Sequence, residues 1–468
     1  MKSAHKTRRV RASGPAVASE HLPSAAELRR IAARVLRLSE ADETEVTLDA
    51  KSSALTRFAN NTIHQNVAEQ GLAISIRAVV DGRTARATTN KADDESLCEA
   101  AWAAFQMARH QPKQPGLLPM PGPQPRSGRA PVARYFEATA AATPAARARV
   151  VAALCKVAQS GGHTAAGIFS TGAHAVALAN SRGLFAHHAQ SHAEFSITAL
   201  DGDSSGWAKA TSPNLAEIDP EALARRAMEK ALLARQPREI PAARYTVILE
   251  PAAVLDLTGF LFYDFAGTAV RDHRSCLNER LGKQLFGRNI QMWDDVYHPL
   301  QSGAPFDGEG LPRQRVQLVE AGVPKRLVYS RASAKKMKAK ATGHALPLPS
   351  EWGEAPMNLV LEGGEDSVEA MIASTDRGVL LTRVWYVREV DPYEKVLTGM
   401  TRDGTFLIEG GRIVAGLRNF RFNESVLEML SKVEQMGPAV RASGEEAFDM
   451  VVPPMKVRDF HFTELTKF

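Results

Sequence analysis

The sequence predicts an α+β protein of two domains: an N-terminal mixed α/β domain and a C-terminal domain of mainly antiparallel, barrel-like β-structure. Its 468 residues exceed what one hydrophobic core ordinarily holds. In the first half, helical patterns separate strand-like stretches. In the second half, strand-like stretches follow one another with short turns between them, which favours an antiparallel sheet or barrel.

The N-terminal domain is expected over residues 24–238, after a basic, flexible tail at residues 1–23. Ser24 is a candidate N-cap, and Asp81-Gly82 favours a hairpin turn. Seven prolines between residues 111 and 131 predict a loop, because proline sustains neither a helix interior nor a central strand. Helices are predicted over residues 24–38, 92–108, 144–159 and 220–234, and strands over residues 45–49, 72–80, 167–181 and 183–200.

The C-terminal domain is expected over residues 239–468, with the boundary in the proline-flanked segment 237–241. It opens with a predicted strand over residues 245–250, and Pro251 suits the first turn of a helix that continues to residue 265. Further strands are predicted over residues 314–320, 327–329, 358–362, 379–390, 396–401 and 404–409.

The net charge of +6 lies mostly in the tail, because the first twelve residues hold five Lys or Arg and no acid, leaving 6 − 5 = +1 for the remainder. This distribution does not favour nucleic-acid binding. Three isolated cysteines without CxxC spacing indicate neither a disulfide framework nor a zinc ribbon. The isolated cysteines fit a reducing, cytoplasmic compartment. With no secretory apolar core and no bilayer-spanning apolar stretch, we expect no membrane partner.

Several sequence blocks, taken together and in order, resemble the TldD/PmbA family. The resemblance runs over roughly residues 25–468, and each block alone is weakly specific. The blocks include Thr56-Arg-Phe-Ala-Asn-Asn-Thr-Ile-His-Gln-Asn, Arg313-Gln-Arg-Val-Gln-Leu-Val-Glu-Ala-Gly-Val, Thr382-Arg-Val-Trp-Tyr-Val-Arg-Glu-Val-Asp-Pro, Leu397-Thr-Gly-Met-Thr-Arg-Asp-Gly and Phe420-Arg-Phe-Asn-Glu-Ser. The resemblance implies two domains, with a zinc peptidase site in the C-terminal domain of TldD-type members, which act on unfolded peptides together with a metal-free TldE/PmbA-type (PmbA-like) partner.

The zinc motif of TldD-type members is missing from this sequence. The resemblance places HExxxH on the helix after the first C-terminal strand, with a downstream Cys as a further ligand. Here the corresponding positions hold approximately Gly259, Phe260 and Asp264, and the sequence has no His between His192 and His273 and no Cys beyond Cys276. We therefore expect no metal, no cofactor and no catalytic residue of this type.

Two other groups of residues imitate a reactive site. His188 and His192 have i, i+4 spacing, but the flanking pattern predicts a strand, on which their Cα atoms lie about 13 Å apart, too far for one ion. Asp272 and His273, near Asp264 and Glu279, imitate an acid–base pair. Charged residues just past a buried helix are more often solvated or ion-paired, so catalysis by this pair is the lesser hypothesis.

A strand in the resemblance blocks carries Arg383, Trp385, Tyr386 and Arg388, which are candidates for contact with a peptide or partner. Strict alternation places Arg383, Trp385 and Val387 on one face, and Val384, Tyr386 and Arg388 on the other. One face is expected to pack and the other to be exposed. The alternative is that both aromatic residues belong to the core.

The first hypothesis is a metal-free, non-catalytic subunit that pairs with a zinc-bearing TldD-type subunit, as a dimer, and helps to enclose an extended peptide, for example by adding it to a sheet edge. The second is a hydrolase active by itself, either a member of the metalloprotease family or a metal-independent enzyme using Asp264, Asp272 and His273. The third is a DNA-gyrase-modulating or nucleic-acid-associated protein that acts through the basic tail.

Overall fold

The computed structural model describes residues 22–125, 129 and 132–466. Of the predicted tail, residues 1–21 lie outside this range. The proline-rich loop is confirmed where it is described, since residues 111–125 and 129 form neither helix nor strand. No helix in the described part of the chain is long and apolar enough to cross a membrane.

The N-terminal half contains one sheet and its covering helices. The strands are β1 (Glu43–Ala59), β2 (Thr62–Val80), β3 (Arg83–Thr89), β4 (Thr164–Asn180), β5 (Phe185–Asp201) and β6 (Ser204–Ser212). The helices are α1 (Ala25–Leu38), α2 (Asp94–His110), α3 (Glu137–Ala140), α4 (Pro144–Ser160) and α5 (Pro220–Leu233), with a 3₁₀ turn at Leu215–Glu217.

The six strands form an antiparallel sheet in the order β3-β2-β1-β4-β5-β6. The predicted hairpin at Asp81-Gly82 is confirmed, because both residues have the positive φ angles of a tight turn, 48° and 70°. β1 and β2 are much longer than predicted. Their polar, weakly buried middle parts lack the regular alternation by which a strand is recognised.

Two helical layers cover different ends of the sheet. α1 and α2 bury Leu28, Val35 and Leu97 against β1, β2 and β4, while α4 and α5 pack on β4 and β5 around Phe169 and Phe195. Ser24 caps α1 as predicted, and its hydroxyl accepts the Glu27 N–H.

The C-terminal half is rich in strands. They are β7 (Arg244–Leu249), β8 (Met292–Asp294), β9 (Val316–Glu320), β10 (Val323–Pro324), β11 (Leu359–Leu361), β12 (Arg377–Asp391), β13 (Val396–Glu409), β14 (Arg412–Gly416), β15 (Phe420–Ser425), β16 (Val433–Met436), β17 (Val440–Ala442), β18 (Met450–Val452) and β19 (Met455–Leu465). The helices are α6 (Pro251–Thr258), α7 (Gly267–Arg271), α8 (Arg331–Lys336), α9 (Val368–Ala373) and α10 (Val426–Ser431), with a 3₁₀ helix at Gly259–Phe265.

Five of these strands close a barrel. The order is β12-β7-β19-β15-β13, and β13 pairs again with β12 to complete the circuit. The pairs are antiparallel except β7 with β12, and the sheet β10-β9-β8-β11-β18-β17 packs beside the barrel. The large C-terminal core contains residues of both sheets. This arrangement confirms the predicted fold class, while the boundary at residues 238 and 239 stays a prediction.

Three predicted elements are wrong in detail. The helix predicted to residue 265 ends as α-helix at Thr258, whose hydroxyl donates to the Val254 carbonyl and so competes with the helical bond; the chain continues as a tighter 3₁₀ helix. Residues 327–329 form no strand, because Tyr329 bonds to Thr342 instead of to a strand. The two strands at residues 396–409 are one, β13, which continues through Asp403 at a φ of 50°.

Candidate functional site

The three positions predicted to match the zinc motif, Gly259, Phe260 and Asp264, all lie on the 3₁₀ helix Gly259–Phe265. β7 leads directly into α6, and the Glu250 N–H donates to the Leu381 carbonyl, which ties the start of α6 to β12. Phe260 packs against the C-terminal core. Gly259 is buried, and a Cβ atom there would lie 2.5 Å from the Ala447 Cβ. Gly259, the predicted first motif position, therefore has no room for a side chain.

Asp264 is buried and neutralised by a lysine from a distant part of the chain. The Lys395 Nζ lies 2.6 Å from Asp264 Oδ2 and 2.8 Å from Glu389 Oε1. The other carboxylate oxygen of Asp264 accepts the Cys276 N–H at 2.7 Å. Burial raises the pKa of the Asp264 carboxyl, and the charge of Lys395 offsets part of this rise. An internal ammonium group thus balances this carboxylate.

Cys276 lies beside the same carboxylate and is fully buried. Burial raises the pKa of the Cys276 thiol well above its ordinary value, and the charge of Asp264 raises it further. The thiolate is the form that binds metals and attacks electrophiles. Cys276 is therefore an inert thiol in this fold.

Asp256 is a buried residue of α6 that sequence reasoning missed. Its carboxylate accepts the backbone N–H groups of Glu445, Glu446 and Ala447 at 3.0 to 3.2 Å. Burial raises the pKa of the carboxyl to about 6, although the three N–H donors lower it. A signal was present in the sequence, since an aspartate interrupts the apolar run Val254-Leu255-Asp256-Leu257 on a helix whose neighbouring positions are all buried.

The segment that Asp256 holds is the 443–449 loop between β17 and β18. This loop also contacts the N-terminal half, because Lys209 Nζ donates to the Gly444 carbonyl at 3.0 Å and Thr211 Oγ1 donates to Asp449 Oδ2 at 2.8 Å. Ala447 of the loop fills the space beside Gly259. The loop therefore covers the first degenerate position and joins both halves of the molecule.

Arg383 lies at a joint between the two halves and does not line an open surface. It is buried and pairs with the Asp403 carboxylate, and its guanidinium stacks on Trp207 of β6 at 5.0 Å. Ser205 Oγ, also on β6, donates to Asp403 Oδ1 at 2.6 Å. Trp385 is half-buried beside Arg383, at 5.5 Å from its guanidinium.

Tyr386 and Arg388 form an exposed pair beyond this joint. Tyr386 is 55% exposed, so the alternative that both aromatic residues are core is wrong. The guanidinium of Arg388 lies over the Tyr386 ring at 4.6 Å and 3.4 Å from Glu446 Oε2, which belongs to the 443–449 loop. The backbone N–H of Tyr386 donates to the other carboxylate oxygen of Glu446.

The predicted alternation along this strand is wrong. Val384 and Val387 both face the core, three residues apart. The register against β13 shifts between Trp385 and Arg388, and Tyr386 has a φ of 55°, as expected for a β-bulge that inserts one extra residue. The bulge turns the Tyr386 side chain toward the surface. An analysis that assumes strict alternation of side chains along a strand does not detect such a bulge.

Asp272 and His273 lie at the exposed C-terminal end of α7. Asp272 pairs with Arg271 at 2.6 Å and with Arg274 at 3.4 Å, and hydrogen bonds from Arg271 lower its pKa. His273 adopts a φ of 55° in the turn. Within the described residues, no ion pair joins Asp272 to His273, and Asp264 faces Lys395. The structure therefore does not bring these three together as an acid–base group, and the hydrolase hypothesis stays a hypothesis.

The histidines at positions 187, 188 and 192 all lie on β5, as predicted. Burial lowers the pKa of His188 to about 4, so its imidazole is neutral at physiological pH. Over residues 22–125, 129 and 132–466, no three His, Cys, Asp or Glu side chains are grouped closely enough to hold a metal ion.

The predicted motif positions do not fit zinc. A tetrahedral zinc site needs imidazole, thiolate or carboxylate ligands around a shared point. Gly259 has no side chain and no room for one, Phe260 offers only carbon, and Asp264 is engaged by an ammonium group. No hydrolytic step through a metal at these positions follows from this arrangement.

Comparison with known proteins matches the chain to one family along most of its length. Models of the PmbA/TldA metallopeptidase match in three consecutive parts: domain 1 over residues 45–108, the central domain over residues 130–235 and the C-terminal domain over residues 242–464.

Among curated relatives, a metalloprotease of Methanothermobacter thermautotrophicus is 27% identical over 232 residues, covering 48% of this chain and 49% of the relative. The metalloprotease PmbA of Escherichia coli O157:H7 is 23% identical over 243 residues, covering 51% of each. The chain thus spans about half the length of these curated relatives.

Among solved structures, the fold is similar to the crystal structure of TldE from Thermococcus kodakarensis. The TM-score is 0.82 at 20% identity, and the match covers 94% of this chain and 100% of that one. At this identity the likeness concerns the fold. With all three family domains matched in order and the same fold over nearly the whole length, the chain belongs to the PmbA/TldD family.

Proposed function

We propose that this protein is a metal-free subunit of a TldD/TldE-type peptidase complex. It pairs with a zinc-bearing TldD-type subunit and helps to enclose an unfolded or leader peptide, while the partner carries out hydrolysis. The observation that supports this proposal most directly is the packing at the degenerate positions, where Ala447 fills the space beside Gly259 and Lys395 neutralises Asp264.

The side chains at these positions are well packed and have polar partners, as expected for a part of the protein that contributes to its stability. Asp264, Lys395 and Cys276 are all buried and connected by short polar contacts. A vacated zinc site without new constraints would leave a cavity or unpaired polar groups, which cost stability. The positions that hold the metal in TldD-type relatives therefore contribute here to the stability of the subunit.

The exposed pair Tyr386 and Arg388 is the part of the predicted contact strand that supports partner or peptide binding. Tyrosine and arginine are enriched among residues that dominate binding energy. The pair stands on a rigid strand next to the 443–449 loop, through the contacts of Glu446 with both residues. Arg383 and Trp385 lie on the same strand, where it meets the N-terminal half, and help to hold the strand in place.

The test is co-purification from the native host. The tagged chain is isolated, and its bound zinc, its associated proteins and its cleavage of an unfolded peptide are measured in the same sample. We expect a zinc-free chain that brings down an HExxxH-bearing relative, and cleavage only when that relative is present. Stoichiometric zinc on the isolated chain together with cleavage by it alone would refute the proposal.

A variant of the exposed Tyr386–Arg388 pair tests the proposal more specifically. The double substitution Tyr386→Ala with Arg388→Ala is expected to weaken co-purification or peptide cleavage by about tenfold or more, because each hot-spot residue contributes about 1 to 2 kcal/mol. Trp102→Ala is the matched control, since Trp102 is 51% exposed on α2 in the N-terminal half. If both variants lost co-purification or cleavage equally, the loss would come from a general change of the surface and not from the Tyr386–Arg388 pair.

A further inference from the structure

A cleft beside the C-terminal sheet is lined by arginines that the proposed function does not use. Its volume is about 530 Å³. The described residues that line it are Gln124, Arg129, Tyr297, residues 311–315, Ala341 and Gly343. Among the described residues that line it, Arg129, Arg313 and Arg315 are basic and none is acidic. Two of these arginines belong to the Arg313-Gln-Arg block of the sequence.

Arg129 and Arg315 share a single carboxylate at the edge of the cleft. The Asp295 oxygens lie 3.4 Å from Arg129 Nη1 and 3.2 Å from Arg315 Nε, which are long contacts for charged partners. Arg315 also stacks on the Trp293 ring at 3.7 Å, and Arg129 on the Tyr297 ring at 5.3 Å. A guanidinium carries five N–H donors, so each of these arginines has donors beyond the one that contacts Asp295.

Arg313 and Tyr297 supply buried polar atoms that have no hydrogen-bond partner. These atoms are Arg313 Nη1 and Tyr297 Oη. Two carboxylates that interact electrostatically with Arg313 are already engaged: Asp294 by His344 and by the Asn358 N–H, and Asp307 by backbone N–H groups. Buried donors that stay unpaired cost about 1 to 3 kcal/mol each, so a fold that keeps them at a cleft is prepared for an acceptor.

The backbone around these side chains is held firmly. The N–H of Arg313 donates to the Pro305 carbonyl, and the N–H of Gln314 donates to the Thr342 carbonyl. Gly343 has a φ of 72°, and a Cβ atom there would lie 2.1 Å from the Pro312 carbonyl oxygen. The glycine allows the two segments to approach closely, so the backbone that carries Arg313 and Arg315 has a defined position.

We propose that Arg313 and Arg315, with Arg129 and the Tyr297 hydroxyl, form a binding site for the oxyanion group of a ligand, a carboxylate or a phosphate. Guanidinium groups bind both kinds of oxyanion through paired N–H donors, and the hydroxyl adds a neutral donor. The residues of this site are separate from Gly259, Phe260 and Asp264, so a failure of this proposal and a failure of the proposed function are distinguishable.

The experiment measures binding to the purified full-length chain by calorimetry with three probes. They are pyrophosphate, an unfolded peptide with a free C-terminal carboxylate, and the same peptide amidated at its C-terminus. Binding of pyrophosphate identifies a phosphate site, and binding of the acid peptide with loss on amidation identifies a carboxylate site. Absence of binding by both anions, or equal binding of the acid and amide peptides without pyrophosphate binding, overturns the proposal.

Matched variants locate the binding. Arg315→Gln and Arg313→Gln are each expected to weaken the affinity by about tenfold or more, because each removes a charged hydrogen-bond donor to the oxyanion. Arg326→Gln, at an exposed arginine after β10, should leave the affinity unchanged. Arg315 is 41% exposed, so its variant should keep the wild-type unfolding temperature even if Arg313→Gln does not. Wild-type affinity in a folded Arg315→Gln variant contradicts the assignment.

Discussion

Replacing Lys395 by methionine removes the positive charge that balances Asp264 while keeping most of the side-chain volume. The two charged groups are 2.6 Å apart, and both side chains are at most 5% exposed. At an effective dielectric constant of about 20, their attraction is about 6 kcal/mol. Desolvation of the ammonium group, which the variant avoids, offsets part of this value. Loss of one partner of a buried pair leaves a net cost of about 3 to 5 kcal/mol.

The cost should depend on pH in a defined direction. Without Lys395, the folded-state pKa of Asp264, already raised by burial, rises further above its unfolded value of about 4. A carboxyl whose pKa is raised on folding destabilises the protein above its unfolded pKa and ceases to do so once it is protonated in both states. The deficit of Lys395→Met relative to wild type is therefore largest at neutral pH and shrinks as the pH falls toward 4.

The assay is urea unfolding of both proteins at several pH values between neutral and about 4.5, followed by fluorescence. Glu389→Gln is the matched control, because Glu389 is the other partner of Lys395 but is 33% exposed. The loss of the Glu389 charge should lower the free energy of unfolding by about 1 kcal/mol or less. Asp264→Asn combined with Lys395→Met should recover much of the single variant's loss, since no uncompensated charge remains.

The reasoning fails if Lys395→Met costs less than the Glu389→Gln control. It also fails if the deficit is the same at every pH, because an uncompensated buried carboxylate must respond to protonation. A pH-independent deficit would mean that Lys395 acts by packing, and a deficit that grows toward acid pH would contradict the assigned charge pairing altogether.

Three further outcomes are expected from the same region. Asp256→Ala should speed amide exchange in the 443–449 loop and cost about 2 to 4 kcal/mol at neutral pH. Because burial raises the Asp256 pKa to about 6, this residue lowers wild-type stability as the pH rises from about 4 to 6, and urea titrations of the variant should lack that component. Gly259→His should destabilise the protein and bind no zinc by mass spectrometry, since its Cβ would meet Ala447 at 2.5 Å. Arg383→Leu should remove the buried ionic partner of Asp403, whose carboxylate keeps the Ser205 hydroxyl and, at 3.6 Å, the Arg402 guanidinium. This loss should cost up to about 3 to 5 kcal/mol and increase proteolysis between the two halves.

Local patterns in the sequence predicted most of the fold class. Apolar periodicity located α1, α2, α4 and α5, and turn residues such as Asp81-Gly82 located hairpins, because these signals act over a few neighbouring residues. Family blocks in their order identified the family. The absence of histidines at the predicted motif positions is visible in the sequence itself, because the identity of a residue does not depend on the fold.

Only the tertiary structure shows which interactions occupy the region where the zinc-binding histidines are missing. Lys395 meets Asp264 from 131 positions away along the chain, and the 443–449 loop reaches Asp256 from nearly 190 positions away. It also decided that Arg383 joins the two halves and that a bulge turns Tyr386 outward. Sequence periodicity reports which face of an element is apolar. The partner of a buried charge and the register of a strand depend on distant segments, and only the folded chain brings these together.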